Sequence, residues 1–279
     1  MEWQAIAVVL LAALLHASWN ALVKVSDDRL VALGLANGIR FAMCLPAVFF
    51  LPLPHMASWP FLVLSALLHF GYYAFLVIAY RGGDLSQVYP LARGASPLLI
   101  VCGAFVFAGE RLDGNALAGV ALVSAGIVSL AVMRLGSGPS EGRPVFYALL
   151  TAVFIAAYTL TDGMGVRRAG TVVGYVIWLS VLDGLPLLCL AALRRRGRFL
   201  EPARRGAWRA AIGALLQLLA YGLVLWVITF SPIAGVSALR ETSVVFAALI
   251  GAWVLKEPLG RSRLVAALLV TTGIVVMKF

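Results

Sequence analysis

Apolar residues fall along this chain in long unbroken blocks, not in alternation or in an amphipathic stripe. The blocks cover 3–23, 30–53, 60–80, 84–108, 113–133, 144–162, 171–193, 207–230, 232–255 and 260–277, each bounded by charged residues, Gly or Pro. About 20 consecutive apolar residues are needed to cross a bilayer as a helix, so the pattern predicts ten transmembrane helices. The links SDDR (Ser26–Arg29) and RGG (Arg81–Gly83) are too short for anything but antiparallel neighbours. Two links are longer. RLGSGPSEGR (Arg134–Arg143) reads as a linker between halves, and RRRGRFLEPARRGAWR (Arg194–Arg209) as a basic loop.

Composition agrees with this pattern. The chain is 62% hydrophobic and 12% charged, against roughly half and a quarter in soluble domains. The formal charge of +10 does not indicate nucleic acid, because seven of the 22 Lys and Arg lie between Arg194 and Arg209, at a membrane surface. Alternate turns divide the basic residues unequally. Lys24, Arg29, Arg81, Arg134, Arg143, the seven arginines of the basic loop, Lys256, Arg261 and Arg263 fall on one side; Arg111, Arg167, Arg168 and Lys278 fall on the other. The first side is expected to be cytoplasmic and both termini outside. Cys44, Cys102 and Cys189 stand alone in separate runs, which gives no metal or disulfide spacing. The N-terminus has no basic n-region, so the first span is expected to be retained.

A shift of 147 residues lays FVFAGERLDGNALAGVALVSAGIVS (105–129) over AWVLKEPLGRSRLVAALLVTTGIVV (252–276). Glu110 falls on Glu257, Leu117 on Leu264 and Gly126 on Gly273; the same shift places Arg93 on Arg240 and Ser96 on Ser243. Charged residues are rare at membrane depth, so their coincidence outweighs that of the leucines. The expected architecture is an all-α integral membrane protein of two inverted five-helix repeats, 1–133 and 144–279, joined by a linker at 134–143. An odd number of spans per repeat turns the second copy upside down, an arrangement that holds substrate between the halves.

AGERLDGNALAGVALVSAGI (108–127) and LKEPLGRSRLVAALLVTTGI (255–274) resemble the drug/metabolite transporter superfamily, in its ten-helix EamA-type branch. The resemblance spans the whole chain. It implies a multi-pass transporter of the inner (plasma) membrane, monomeric or homodimeric, carrying amino acids, other metabolites, drugs or nucleotide-sugars; relatives flip lipid-linked sugars. The opening HASWNALVK (His16–Lys24) further resembles a branch found beside phosphonate-utilisation genes.

A charge at membrane depth needs a partner, a cavity or a function. Three arginines lie deep by these spans: Arg40, Arg93 and Arg240. Arg93 is about 5 Å from the middle of its helix, flanked by Pro90 and Pro97, with Tyr89 and Ser96 on the same stripe. Glu241 follows Arg240 about 100° round the helix, so one of the two is expected to pair with a neighbouring helix. One-turn polar pairs recur: His16 with Asn20, His69 with Tyr72, Tyr158 with Asp162 near the exit of its span, and Gln217 with Tyr221. Asp183 precedes a Gly and a Pro. Interhelical hydrogen bonding explains His16, Asn20 and His69 as well as substrate contact does. Glu110 and Glu257 are expected to cap helix ends or pair with a nearby base. If Asp183 and Glu241 pair with two of the arginines, one arginine is left over, which suits a carboxylate, phosphonate or phosphate.

The candidate substrate-binding residues are therefore Arg93, Arg240, Tyr89, Arg40, His16, Asn20, His69, Tyr72, Tyr158, Asp183, Gln217, Tyr221 and Glu241. No metal or cofactor is expected, and no nucleic acid. The partners are a small-molecule substrate, the lipid bilayer and, for coupling, protons. The leading function is secondary active transport of a small anionic or zwitterionic metabolite, an amino acid or organophosphonate, by alternating access. Export of cationic drugs and flipping of a lipid carrier are the alternatives. The chain lacks HExxH, GxSxG and a P-loop, which argues against an intramembrane enzyme or an ATP-driven pump.

Overall fold

The computed structural model describes residues 2–82, 85–132, 142–256 and 260–278. Its helices are α1 (Trp3–Lys24), α2 (Arg29–Ala47), α3 (Trp59–Gly82), α4 (Leu85–Ala108), α5 (Gly114–Val132), α6 (Gly142–Val166), α7 (Val172–Arg195), α8 (Leu200–Ile228), α9 (Ile233–Arg240), α10 (Ser243–Trp253) and α11 (Arg261–Lys278), with single 3₁₀ turns at Met56–Ser58 and Arg196–Arg198. Among the described residues nine spans are long and apolar enough to cross a membrane, α9 and α10 together making the ninth. α11 is an apolar helix with arginines at its start and a lysine at its end. This is a multi-pass membrane bundle.

Two boundaries differ from the sequence reading. The basic stretch is mostly helix: α7 runs to Arg195 and α8 begins at Leu200. At 1.5 Å per residue the 29 residues of α8 extend about 43 Å, well beyond a hydrocarbon core of about 30 Å. Its arginine-bearing first turns therefore stand in the headgroup zone. The ninth span is not continuous; it breaks between Arg240 and Ser243. The expected linker lies almost wholly outside the described residues, as does Glu257, and its last two residues, Gly142 and Arg143, open α6.

Helix ends are satisfied locally. Asp28 caps α2, accepting from the N–H groups of Leu30 and Val31 at 3.0 and 3.2 Å. Thr171 caps α7 through Gly174 N–H. Gly109 turns the chain out of α4 with φ +67°, a left-handed conformation natural to glycine, and Glu110 N–H donates back to Ala104 O at 3.0 Å. The Glu110 carboxylate then caps a different helix, accepting from Ile233 and Ala234 N–H at the start of α9. It also pairs with Arg167 at 2.8 Å, and Arg167 donates to Ser231 O and Ile228 O. Glu110 thus has the capping and pairing role expected for it.

Asp28 also meets Arg195 at the end of α7. Partial burial pushes its carboxyl up, but donation from Arg195, the Val31 and Leu30 N–H groups and the arginine charge outweigh this and hold it below its ordinary range. A carboxyl lowered in the folded state stabilises above its unfolded pKa of about 3.9 and ceases to do so as pH falls through the lower folded value. Asp28→Asn is expected to lower the melting temperature at neutral pH by an amount equivalent to about 1 kcal/mol, an exposed ion pair plus a weakened cap. The gap from wild type should close in acid. Melting curves of the purified protein across pH test this, and a gap that is constant with pH would contradict it.

The packing is symmetrical in a specific sense. α2 packs on α7 and α5 on α11; α3 packs on α6 as α8 does on α1; α4 packs on α6 as α9 and α10 do on α1. Small residues permit the close approaches. Gly119 faces Gly273 across α5 and α11, backbone to backbone, and Gly126 faces Ala266. The main apolar core, including Val9, Leu62, Ile100, Val166, Leu225, Ile228 and Ile233, fills the end of the bundle away from the basic turns. Among the described residues, a smaller cluster around Ala79, Val88 and Ala148 lies toward the basic end.

Candidate functional site

The buried polar residues collect in the middle of the bundle in three linked groups. The first is built on α4 and on the break in the ninth span. Pro97 removes the N–H that would bond the Arg93 carbonyl, and Ser96 Oγ donates to that carbonyl instead, at 3.1 Å. α4 therefore passes Arg93 without unwinding. Opposite, Arg240 ends α9 and Glu241 sits in the break. Its N–H donates to Ala238 O, Thr242 N–H to Leu239 O and Val244 N–H to Glu241 O. These short-range bonds satisfy the backbone while turning the Glu241 side chain inward.

One Glu241 oxygen lies 2.8 Å from Arg93 Nη2 and 3.9 Å from Arg240 Nη2. The three side chains are 0–6% exposed. These are contacts of charge, not aligned hydrogen bonds. Nε and Nη2 of both arginines and both oxygens of Glu241 are buried without a hydrogen-bond partner, as is the Ser237 hydroxyl. Tyr89 and His16 lie within electrostatic reach of both arginines, and Tyr158 within reach of Arg93.

The second group is Arg40, which binds Asp183 at 2.7 Å and Asn37 Oδ1 at 2.9 Å; Tyr73 OH donates to the same Asn37 oxygen. The third is aromatic. His69 stacks on Tyr158 with ring centres 4.1 Å apart, and Tyr72 stands 5.8 Å from Tyr158 and 5.0 Å from Tyr73. Tyr221 meets His69 edge-on at 6.3 Å. Behind this wall Asp162 accepts from Tyr175 OH at 3.0 Å and from Tyr221 OH.

Of the residues expected from sequence, Arg93, Arg240, Glu241, His16, Tyr89 and Tyr158 come together around one point. His69, Tyr72 and Tyr221 line its flank. Arg40 and Asp183 form a neighbouring pair joined to it through Tyr73. Gln217 is buried one turn before Tyr221. Asn20 turns back along its own helix to donate to His16 O at 2.8 Å.

One expectation is corrected. Asp162 does not lie at a span exit: α6 continues to Val166 and buries it completely. Asp183 takes Arg40 and Glu241 takes Arg93, while Asp162 is held by tyrosines, so the central point keeps two guanidinium groups against one carboxylate. Sequence reasoning missed Asn37 and undervalued Asp162. The one-turn spacing of Asp162 from Tyr158 was the available signal.

Buried, incompletely paired charges at the centre of a multi-pass helical bundle mark a functional site at membrane depth. Residues 142–279, the second half of the chain, match the model of the EamA-like transporter family, a family of transporters, not enzymes. A probable amino-acid metabolite efflux pump of Salmonella typhimurium is 29% identical over 191 residues, covering 66% of this chain and 63% of that protein. Its namesake in Escherichia coli is 30% identical over 184 residues, covering 63% and 60%. The chain thus matches about three-fifths of the length of these relatives. A crystal structure superposes with a TM-score of 0.74 over 99% of this chain and 96% of the other, at 18% identity, which is a likeness of fold.

Proposed function

We propose that this chain is a secondary active exporter of small zwitterionic or anionic metabolites, amino acids foremost, working by alternating access across the inner membrane. The observation that carries the reading is the buried Arg93–Glu241–Arg240 group. Its two guanidinium groups have N–H donors without acceptors, and its single carboxylate has oxygens without donors. An amino acid answers both needs. Its carboxylate takes the arginines, with a bidentate grip available at either, and its ammonium takes Glu241. The exchange replaces an internal ion pair with two charge-assisted pairs and leaves the buried charge unchanged. A lipophilic cation would have to displace arginine from Glu241 and leave two guanidinium groups unpaired, a costly arrangement. The names of the relatives support both the substrate class and the outward direction.

The two halves, 1–133 and 144–279 around the linker at 134–143, act in this reading as inverted repeats. Three observations support it. The packing partners interchange when the halves are exchanged. The Gly119–Gly273 and Gly126–Ala266 contacts are images of each other under the 147-residue shift. Arg93 and Arg240 occupy equivalent places. In this reading the basic turns face the cytoplasm, and the main apolar core lies toward the opposite end.

A thermal-shift screen of the purified protein tests the substrate class. Stabilisation follows RT ln(1 + [L]/Kd), about 2.7 kcal/mol at a hundredfold excess over Kd. Amino acids or their phosphonate analogues should raise the melting temperature and lipophilic cations should not. The reverse ranking would overturn the reading.

A further inference from the structure

Every other buried or half-buried acid described above has an arginine: Asp183 has Arg40, Glu241 has Arg93, Glu110 has Arg167 and Asp28 has Arg195. Asp162, with no exposed surface, forms no such pair among the described residues. It is held by neutral donors, Tyr175 OH from α7 and Tyr221 OH from α8. Ser65 and His69 face it from α3. His69 is itself engaged with Ser65 through Nδ1, at 2.9 Å to the carbonyl and 3.2 Å to the hydroxyl. Tyr158 precedes it by one turn on α6. The buried charged groups on the other elements packed against α6 are Arg93 on α4, Arg240 on α9 and Glu241 in the break. Arg93 lies within reach of Tyr158, and Arg240 within reach of Tyr221.

We propose that Asp162 is the proton-binding site that couples transport, and that Tyr221 relays its state to the substrate site. This rests on the transporter reading above. An ionised carboxylate only accepts hydrogen bonds, whereas a protonated one carries an O–H that must donate. When Asp162 takes a proton, its O–H needs an acceptor; Ser65 Oγ is already engaged with His69 Nδ1 at 3.2 Å, which leaves the two tyrosine hydroxyls. Tyr175 is sealed: it has no exposed surface, and its hydroxyl lies so close to Gly165 that a Cβ there would stand 2.4 Å from it. Tyr221 is only partly buried; it donates to Asp162 and lies within electrostatic reach of Arg240. It is therefore the tyrosine that turns, swinging its O–H away from Asp162 toward the substrate side. The proton moves from water to the carboxylate oxygen and returns, with no other bond made or broken.

The full-length protein in liposomes gives two separate readouts. Acid-minus-alkaline infrared difference spectra should show a protonated-carboxyl stretch in wild type that is missing in Asp162→Asn, and Tyr221→Phe should shift its pH midpoint. With amino acids as probe, Asp162→Asn should keep exchange of labelled for unlabelled substrate, which moves no net proton. It should lose accumulation driven by a pH gradient, down to the level of protein-free liposomes. A carboxyl band that survives Asp162→Asn, or pH-driven accumulation that persists in it, would overturn the proposal. A band assigned to Asp162 in a protein that exchanges no amino acid would support the proton site and sink the substrate reading instead. Should Asp162→Asn fail to fold, the Tyr221→Phe midpoint decides: a shift supports the relay and an unchanged midpoint overturns it.

Discussion

Arg93→Ala is expected to reduce transport by at least about two orders of magnitude while leaving a folded, extractable protein. Two losses add. Substrate forfeits a charge-assisted grip worth about 1.5–3 kcal/mol per hydrogen bond, and it meets a Glu241 that is no longer balanced at close range. Truncating one partner of a buried ion pair costs about 3–5 kcal/mol. Here Arg240, 3.9 Å from the same carboxylate, moderates that cost. The double variant Arg93→Ala/Glu241→Gln separates the contributions. Removing both charges should restore much of the melting temperature without restoring transport. Arg93→Lys should recover charge but little activity, since an ammonium cannot present two parallel donors to a carboxylate. Uptake into reconstituted vesicles alongside melting curves gives both numbers, and wild-type transport by Arg93→Ala would refute the assignment.

Gly119→Leu is expected to cause the largest loss of stability of any substitution considered. A bare Cβ at position 119 would stand 2.1 Å from Met277 Cγ and 2.5 Å from the Gly273 carbonyl oxygen. The methionine can move, but the carbonyl belongs to the α11 backbone and cannot move without shifting that helix. Even Gly119→Ala must push α5 from α11, at a cost of about 1–3 kcal/mol, and leucine should exceed it. Position 114, where an added Cβ meets nothing, supplies the control: Gly114→Ala should fold normally. Fluorescence-detected size exclusion after heating tests the series, and an unchanged profile for Gly119→Leu would show that α5 and α11 do not pack as described.

Hydropathy alone located the spans, because lipid demands long apolar runs whatever the fold. It placed their ends less well where a helix outlives the bilayer, as α8 does in its arginine-rich first turns. The central arginines were legible because rare residues recurred at one shift. The break at Glu241 was not legible. No Gly or Pro marks it, and only Thr242 and the β-branched residues that follow, poor helix formers, hinted at it. The ion pair to Arg93 on a distant helix accompanies the break, and such pairings do not show in local sequence. Asp162 was misjudged for a related reason. A carboxylate near the end of an apolar run looks solvent-bound until the helices that cover it are known.

Ser96, by answering the carbonyl that Pro97 leaves open, makes α4 a fixed post. The ninth span turns at Glu241, although Thr242 Oγ1 donates to Leu239 O there at 2.9 Å. The two arginines that meet over one carboxylate are thus carried differently, one on a post and the other on a joint.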